Sequence, residues 1–295
     1  MSTDKALVDR VTASVIGAIK GTGEVTKAIA DTVSDTLVHV IKGTGNVGTA
    51  LTSAVSDVAR GAITGAADVG GDLGTVAKGT IVGVVKGTKE VGGEVLDTVG
   101  TSAESLVKTT SDIGGNVAGA AKDAVRGTIQ GIQELGVDAA HATGAAAAGA
   151  AKAASQVGSS ASSAMAGVAS AIVQGASEVG GDIGAAAKGA LLGTLQGTKE
   201  VGKEAFGTIT DSAEGVVKAA ADVGGDVAGT AKKAVEGAIE GAKELGIDAA
   251  EAAAAAATGA LKAAGSVSKE AVSQVRAVAT GVVAGVKVIV KEPFK

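Results

Sequence analysis

The chain has 295 residues, among them 47 glycines, one proline and two phenylalanines, with no tryptophan, tyrosine or cysteine. Its 26 basic and 31 acidic residues leave a formal charge of −5 and are spread evenly. These numbers exclude a core filled by large aromatic side chains, a disulfide framework or thiolate chemistry, and the like-charge block of a nucleic-acid-binding arm. Apolar residues make up 46%, mostly alanine and valine, and the mean hydropathy of +0.36 is too apolar for a flexible polar linker.

Taken in order, residues 1–22 follow a weak apolar register through Leu7, Val11, Val15 and Ile19, with Ser2, Thr3 and Asp4 as candidate helix caps. Asp4 and the lack of a basic flank before an apolar run argue against a signal peptide. From Gly23 a 22-residue row repeats without insertion or deletion. Val25, Val47, Val69, Val91, Ile113, Leu135, Val157, Val179, Val201, Val223, Leu245, Val267 and Ile289 mark its register. A first array covers 23–154, and a degenerate, serine-rich, uncharged row over 155–170 is the candidate bend. A second array covers 171–286, and 287–295 form a C-terminal tail that Pro293 ends. Glu134–Leu–Gly–Val–Asp and Glu244–Leu–Gly–Ile–Asp lie 110 residues apart, the mark of an array made by duplicating about five rows. The charge-free run 153–177 carries Gln156, Gln174 and many serines, which makes it a poor bilayer span.

Twenty-two is twice eleven, and eleven residues make three helical turns at 3.67 residues each. On that wheel Val69, Leu73, Ala77, Thr80, Val84 and Thr88 fall on one stripe, widened by Ile81 and Val85. Asp72, Lys78 and Lys86 take the opposite arc. The equivalent apolar positions elsewhere are Val91, Ile113, Val179, Ile183, Val201, Val223, Val227, Leu245 and Val267. This predicts an amphipathic helix with a broad, shallow face.

Each Gly-Gly pair, such as Gly70–Gly71, could instead mark a turn. The columns decide for helix: Gly70's column also holds Thr26 and Ser268, and Gly83's holds Ser105 and Ala171, small residues that a helix tolerates. His39 is the one bulky exception. The expected fold is therefore all-α: a long, nearly continuous amphipathic helix of 22-residue (2 × 11) repeats. It would fold back on itself or pack with other copies into right-handed bundles or filaments. Each interior glycine costs about 0.8–1.0 kcal/mol relative to alanine, so such a helix needs a partner for its apolar face.

Small-xxx-small spacing supplies one kind of partner. Gly61/Gly65, Gly79/Gly83/Gly87, Gly127/Gly131, Gly189/Gly193/Gly197, Gly237/Gly241 and Gly281/Gly285 would form smooth ridges that let another helix backbone approach. Lysine and acid columns form neighbouring stripes that could match between helices lying side by side. No active site emerges. Gly43–Thr–Gly–Asn–Val–Gly48 fits GxGxxG but lacks a βαβ context. His39 and His141 stand far apart without ligand partners. The expectation is no enzyme, no cofactor, no metal, no nucleic acid and no small-molecule substrate.

Residues 76–95, VAKGTIVGVVKGTKEVGGEV, resemble the repeats of perilipin 4-type lipid-droplet coat proteins in the AKGT and KGTKEV phrases and the 11-residue period. They are more broadly similar to synuclein and late-embryogenesis-abundant repeats. The resemblance implies an intracellular, peripheral helix lying on a neutral lipid or membrane surface. The row here is 22 residues where the perilipin repeat has 33. The function expected first is a lipid-surface coat, with a self-assembling structural protein second and a stress protectant third.

Overall fold

Two glycines followed by Asp, Asn or Glu stop one helix and start the next. The computed structural model describes every residue except Met1, 22–23, 45–46, 134–138, 157–160, 179–181, 200–204 and 291–295. In it Gly70, Gly92, Gly114 and Gly224 adopt left-handed backbone at φ +65° to +72°. The Gly71 N–H donates to the Ala66 carbonyl at 2.8 Å and the Gly70 N–H to Ala67 at 3.1 Å, the paired closure of a Schellman helix end. Asp72 then caps the next helix, its Oδ1 accepting from the Thr75 N–H at 2.7 Å. Asn116, Asp182, Asp226 and Asp248 do the same for their helices.

The result is all-α, with thirteen helices among the described residues. These are α1 Ser2–Lys20, α2 Val25–Thr44, α3 Val47–Asp68, α4 Leu73–Glu90, α5 Val95–Asp112, α6 Val117–Gln133 and α7 Ala139–Gln156. They continue with α8 Ala161–Glu178, α9 Ile183–Lys199, α10 Ala205–Asp222, α11 Val227–Leu245, α12 Ala249–Val267 and α13 Lys269–Ala279. From α4 to α12 each starts 22 residues after the last.

The nearly continuous helix expected from the columns does not form. Thr26 and Ser268 were misleading substitutes for a turn glycine. Thr26 lies inside α2, and Ser268 is an extended residue (φ −168°) that ends α12 and caps α13. Where the described chain makes the Schellman turn, the left-handed residue is glycine every time. An L side chain there would crowd the following carbonyl, at about 1–2 kcal/mol.

Met1–Ala153 and Ala154–Lys295 are two compact units. In the first, each helix packs chiefly on the helix two places before it: α3 on α1, α4 on α2, α5 on α3 and α6 on α4. Contacts between successive helices are lighter. The second repeats this with α10 on α8, α11 on α9 and α12 on α10. Gly61 faces Val8 while Gly65 faces Thr12, and Gly127 faces Lys78 while Gly131 faces Val82, so these partners run parallel. The core side chains are small: Ile63, Ile81, Leu106, Leu191 and Ile239 are among the largest that are fully buried. Of the expected bend over 155–170, positions 157–160 lie outside the described residues, while 155–156 end α7 and 161–170 belong to α8.

The second unit ends in an antiparallel hairpin, β1 Gly281–Val283 and β2 Val286–Val288, with Val283 paired to Val286. Ala284 (φ 46°) and Gly285 (φ 78°) make its two-residue turn, where positive φ at both places matches the twist of the strands. Gly281 and Gly285 are therefore not helix-packing residues. The local Val-rich alternation prevails here over the helical register of Val282, Val283 and Val286.

Candidate functional site

A glycine column gains meaning from what its missing side chain admits. In α4, a Cβ on Gly79 would stand 2.8 Å from the Thr26 carbonyl, and one on Gly87 would stand 3.1 Å from that of Ser34. At Gly83 it would meet Val33 Cβ at 2.6 Å and the Ala30 carbonyl closer still. Gly127 lies against the Lys78 carbonyl at 2.7 Å, Gly131 against Val85 at 3.2 Å, Gly237 against the Lys188 carbonyl at 2.5 Å and Gly241 against Leu195 at 2.9 Å. Gly61 and Gly65 meet the Val8 and Thr12 carbonyls, each at 2.8 Å. Each ridge seats the backbone of the helix two places earlier in the same chain. Gly193 and Gly197 are buried and Gly189 is half-buried.

The packing has a direction. A helix offers glycine to its predecessor and Val, Ile, Leu or Thr to its successor. On this flank of α1 and α2 no described helix is seated. A Cβ at Gly17 in α1 would meet nothing within 4 Å, and Ala13, Gly17 and Gly21 are exposed. In α2 the corresponding edge carries Asp31, Asp35 and His39, all exposed. The bulky exception at His39 thus has a physical cause, since no described helix lies against its position.

The apolar stripe divides. Ile81, Val84 and Val85 are fully buried in α4. The anchor column instead falls at the turns: Val69, Val91, Val223 and Leu245 are half-buried, as are Leu73, Ile183 and Val227 at helix starts. Ile113 and Val267 are exposed at 40% and 46%. Val179 and Val201 lie outside the described residues. Val55, Val58, Leu106 and Val235, in the columns of Ala77, Thr80, Val84 and Ile81, are fully buried as well, and Val76 is a fully buried core residue outside the stripe. A helix seated between two neighbours buries two flanks where a surface helix buries one.

Lysine and acid columns meet between helices. Lys42 pairs with Glu90 at 3.3 Å, Glu104 with Lys152 at 3.3 Å, Lys188 with Glu240 at 2.5 Å and Glu214 with Lys262 at 2.7 Å. Each joins a helix to its partner two places on. The hydrogen bond that Lys262 donates to Glu214 raises the Lys262 pKa above its usual value, as the one that Lys233 donates to Glu236 does for Lys233. Burial pushes the Asp123 carboxyl up, against the lowering effect of Arg126, Lys122 and Lys78; Asp72 adds to the rise. Its Oδ2 lies against Gly74 in the first turn of α4. Ser102, Thr110 and Ser212 bury hydroxyls that have no hydrogen-bond partner among the described residues.

Among the described residues no three or more His, Cys, Asp or Glu are placed to hold a metal ion, and no helix is long and apolar enough to cross a membrane. No protein-family model matches the chain, and no curated protein matches it by sequence.

Proposed function

We propose that the chain is a non-enzymatic amphipathic-repeat protein that coats a neutral lipid surface through its Val, Ala, Thr and Gly face. The observation that carries this reading is the unbroken row length. A closed stack of helices tolerates loops of any length between them. Here every described turn from Gly70 to Gly246 keeps the 22-residue spacing, which as 2 × 11 preserves one apolar stripe along the whole chain. The even charge and net −5 favour neutral over anionic surfaces. Many weak faces in tandem give avidity that one row lacks. Flotation with a phosphatidylcholine-coated triacylglycerol emulsion is the test: the protein should float with the lipid, and protein left wholly in the subnatant at saturating emulsion refutes the coat.

The second reading is self-assembly, in which copies pack through glycine ridges into a filament, sheet or bundle. The open Ala13, Gly17 and Gly21 edge of α1 favours it, because the same column seats a helix in later rows. Sedimentation equilibrium tests this directly. A concentration-independent monomer rejects it.

A further inference from the structure

We propose that the Gly-Gly-acid turns are hinges at which the closed array opens into continuous helix when a neutral lipid interface competes for its apolar face. This rests on the coat reading above. It adds a defined conformational change and assigns it to named residues.

The same columns take both conformations within this one structure. Val69 to Asp72, Val91 to Glu94 and Val223 to Asp226 form turns, whereas the equivalent Val25 to Ala28 and Val47 to Ala50 are helical, within α2 and α3. The difference between these rows is local. The turning rows carry Gly-Gly and Asp or Glu, and the helical rows carry Thr26–Lys27–Ala28 and Gly48–Thr49–Ala50. In those two rows the preceding helix stops a few residues earlier, at Lys20 and at Thr44, so the break is displaced along the row and the column itself is free to be helical.

Helix through a turn would also keep the faces aligned. Ile81, Val84 and Val85 in α4 precede Ala103, Leu106 and Val107 in α5 by one row, and all six are fully buried. One row at 3.67 residues per turn is six whole turns, so these residues would lie on one stripe of a joined helix. The pairs α1–α3 and α2–α4 show the ridges tolerating a displacement along the row. Gly61 to Val8 and Gly83 to Ala30 span four residues more than Gly127 to Lys78 or Gly237 to Lys188, a slip of about one helical turn that leaves every ridge seated.

The hinge glycines are lightly held. Gly70, Gly92, Gly114, Gly224 and Gly246 are exposed, and a Cβ on any of them would meet nothing within 4 Å. Opening there breaks a Schellman pair and an exposed cap but no packing of the hinge residue. The ion pairs that opening would separate, such as Glu214 with Lys262, are also partly exposed.

The test uses the full chain, whose lack of cysteine leaves engineered thiols unique. Glu214→Cys and Lys262→Cys carry nitroxide labels across the α10–α12 pair, with the described turns at Gly224 and Gly246 between them. Pulsed dipolar spectroscopy should give a short distance in buffer. On a phosphatidylcholine-coated triacylglycerol emulsion it should give a distance near 72 Å, from 48 residues at ~1.5 Å each. Gly224→Ala with Gly246→Ala disfavours the left-handed backbone and should lower the lipid needed for half-conversion at least about fivefold. Flotation with the short distance retained overturns the opening and leaves the coat intact. Absence of flotation overturns the coat, and the opening with it.

Discussion

One substitution made at two places in a single column separates packing from helix propensity. Gly17→Ala in α1 adds a methyl group to a helical position with nothing within 4 Å. It should stabilise by about 0.8–1.0 kcal/mol, the ordinary gain of alanine over glycine in a helix interior. Gly83→Ala in α4 has the same intrinsic gain, but the new Cβ would sit 2.6 Å from Val33 Cβ and closer to the Ala30 carbonyl. Carbon atoms in contact prefer about 3.5–4.0 Å, so α4 must withdraw from α2 by about 1 Å. The carbonyl cannot rotate away without breaking its own helix. Overpacking of this kind costs about 1–3 kcal/mol. Towards the upper end of that range, the net effect is about 1–2 kcal/mol of destabilisation. Urea unfolding followed by circular dichroism at 222 nm should move the Gly17→Ala midpoint up and the Gly83→Ala midpoint down. A midpoint that rises in both variants would refute the packing argument, because a lone helix on which the ridge faces nothing prefers alanine at both.

Four further outcomes follow from the same geometry. Asp226→Ala removes the cap on the Gly229 N–H (2.8 Å) and should cost about 0.5–2 kcal/mol, while Asp226→Asn should recover most of that; equal losses in both would show that the carboxylate acts as a charge rather than as a cap. Gly224→Ala, at φ +70°, should lower the unfolding midpoint by about 1–2 kcal/mol in buffer, and a rise would place the turn elsewhere. Ser212→Ala should stabilise by about 1 kcal/mol, since it deletes a buried hydroxyl that has no partner among the described residues; a loss of similar size would reveal a hydrogen bond. For Asp123 the folded pKa lies above the unfolded one because of burial, so the charged form is disfavoured in the fold. Its contribution to stability therefore improves as pH falls through the raised pKa and is worst at neutral pH. Relative to the parent, Asp123→Asn should gain stability at pH 7 and lose that advantage at pH 4, and an advantage constant over that range would count against the burial effect.

The all-α character was readable from the amphipathic columns, and Ile81, Val84 and Val85, which share a stripe on the wheel, are fully buried. The helix ends were also written in the chain, as glycine followed within two residues by Asp or Asn. They were missed because the column test weighed Thr26 and Ser268 equally with the glycines that turn. A column describes an average over rows, while a turn is decided by its own triplet. Gly281 and Gly285 failed for the related reason that periodicity was carried past the point where the helices stop. The core was only half legible. Val69, Val91 and Val223 mark the register best yet sit beside the turns, whereas burial on a second flank depends on a helix two rows away that a single wheel cannot represent.

His39 stands on an edge of α2 that no described helix covers. A histidine at that position would collide with a preceding helix in any later row, where Gly61 and Gly83 leave less than the room of one methyl group. In α2 it is exposed beside Asp31 and Asp35, while the equivalent positions of α1 are Gly17, Asp9 and Ala13, all exposed. At the Gly17/His39 and Ala13/Asp35 columns the two edges therefore differ: α2 is polar and bulky, α1 small and open. A stack able to grow end to end without limit would need both edges open to receive the last helices of another copy. The α2 edge opposes that docking sterically and by the desolvation of two carboxylates, so an association through α1 would stop at small oligomers. Replacing Asp31, Asp35 and His39 together with glycine removes this obstruction. If the polar edge limits growth, the triple variant will lengthen into larger species in sedimentation velocity as concentration rises; an unchanged profile would assign that limit to some other part of the chain.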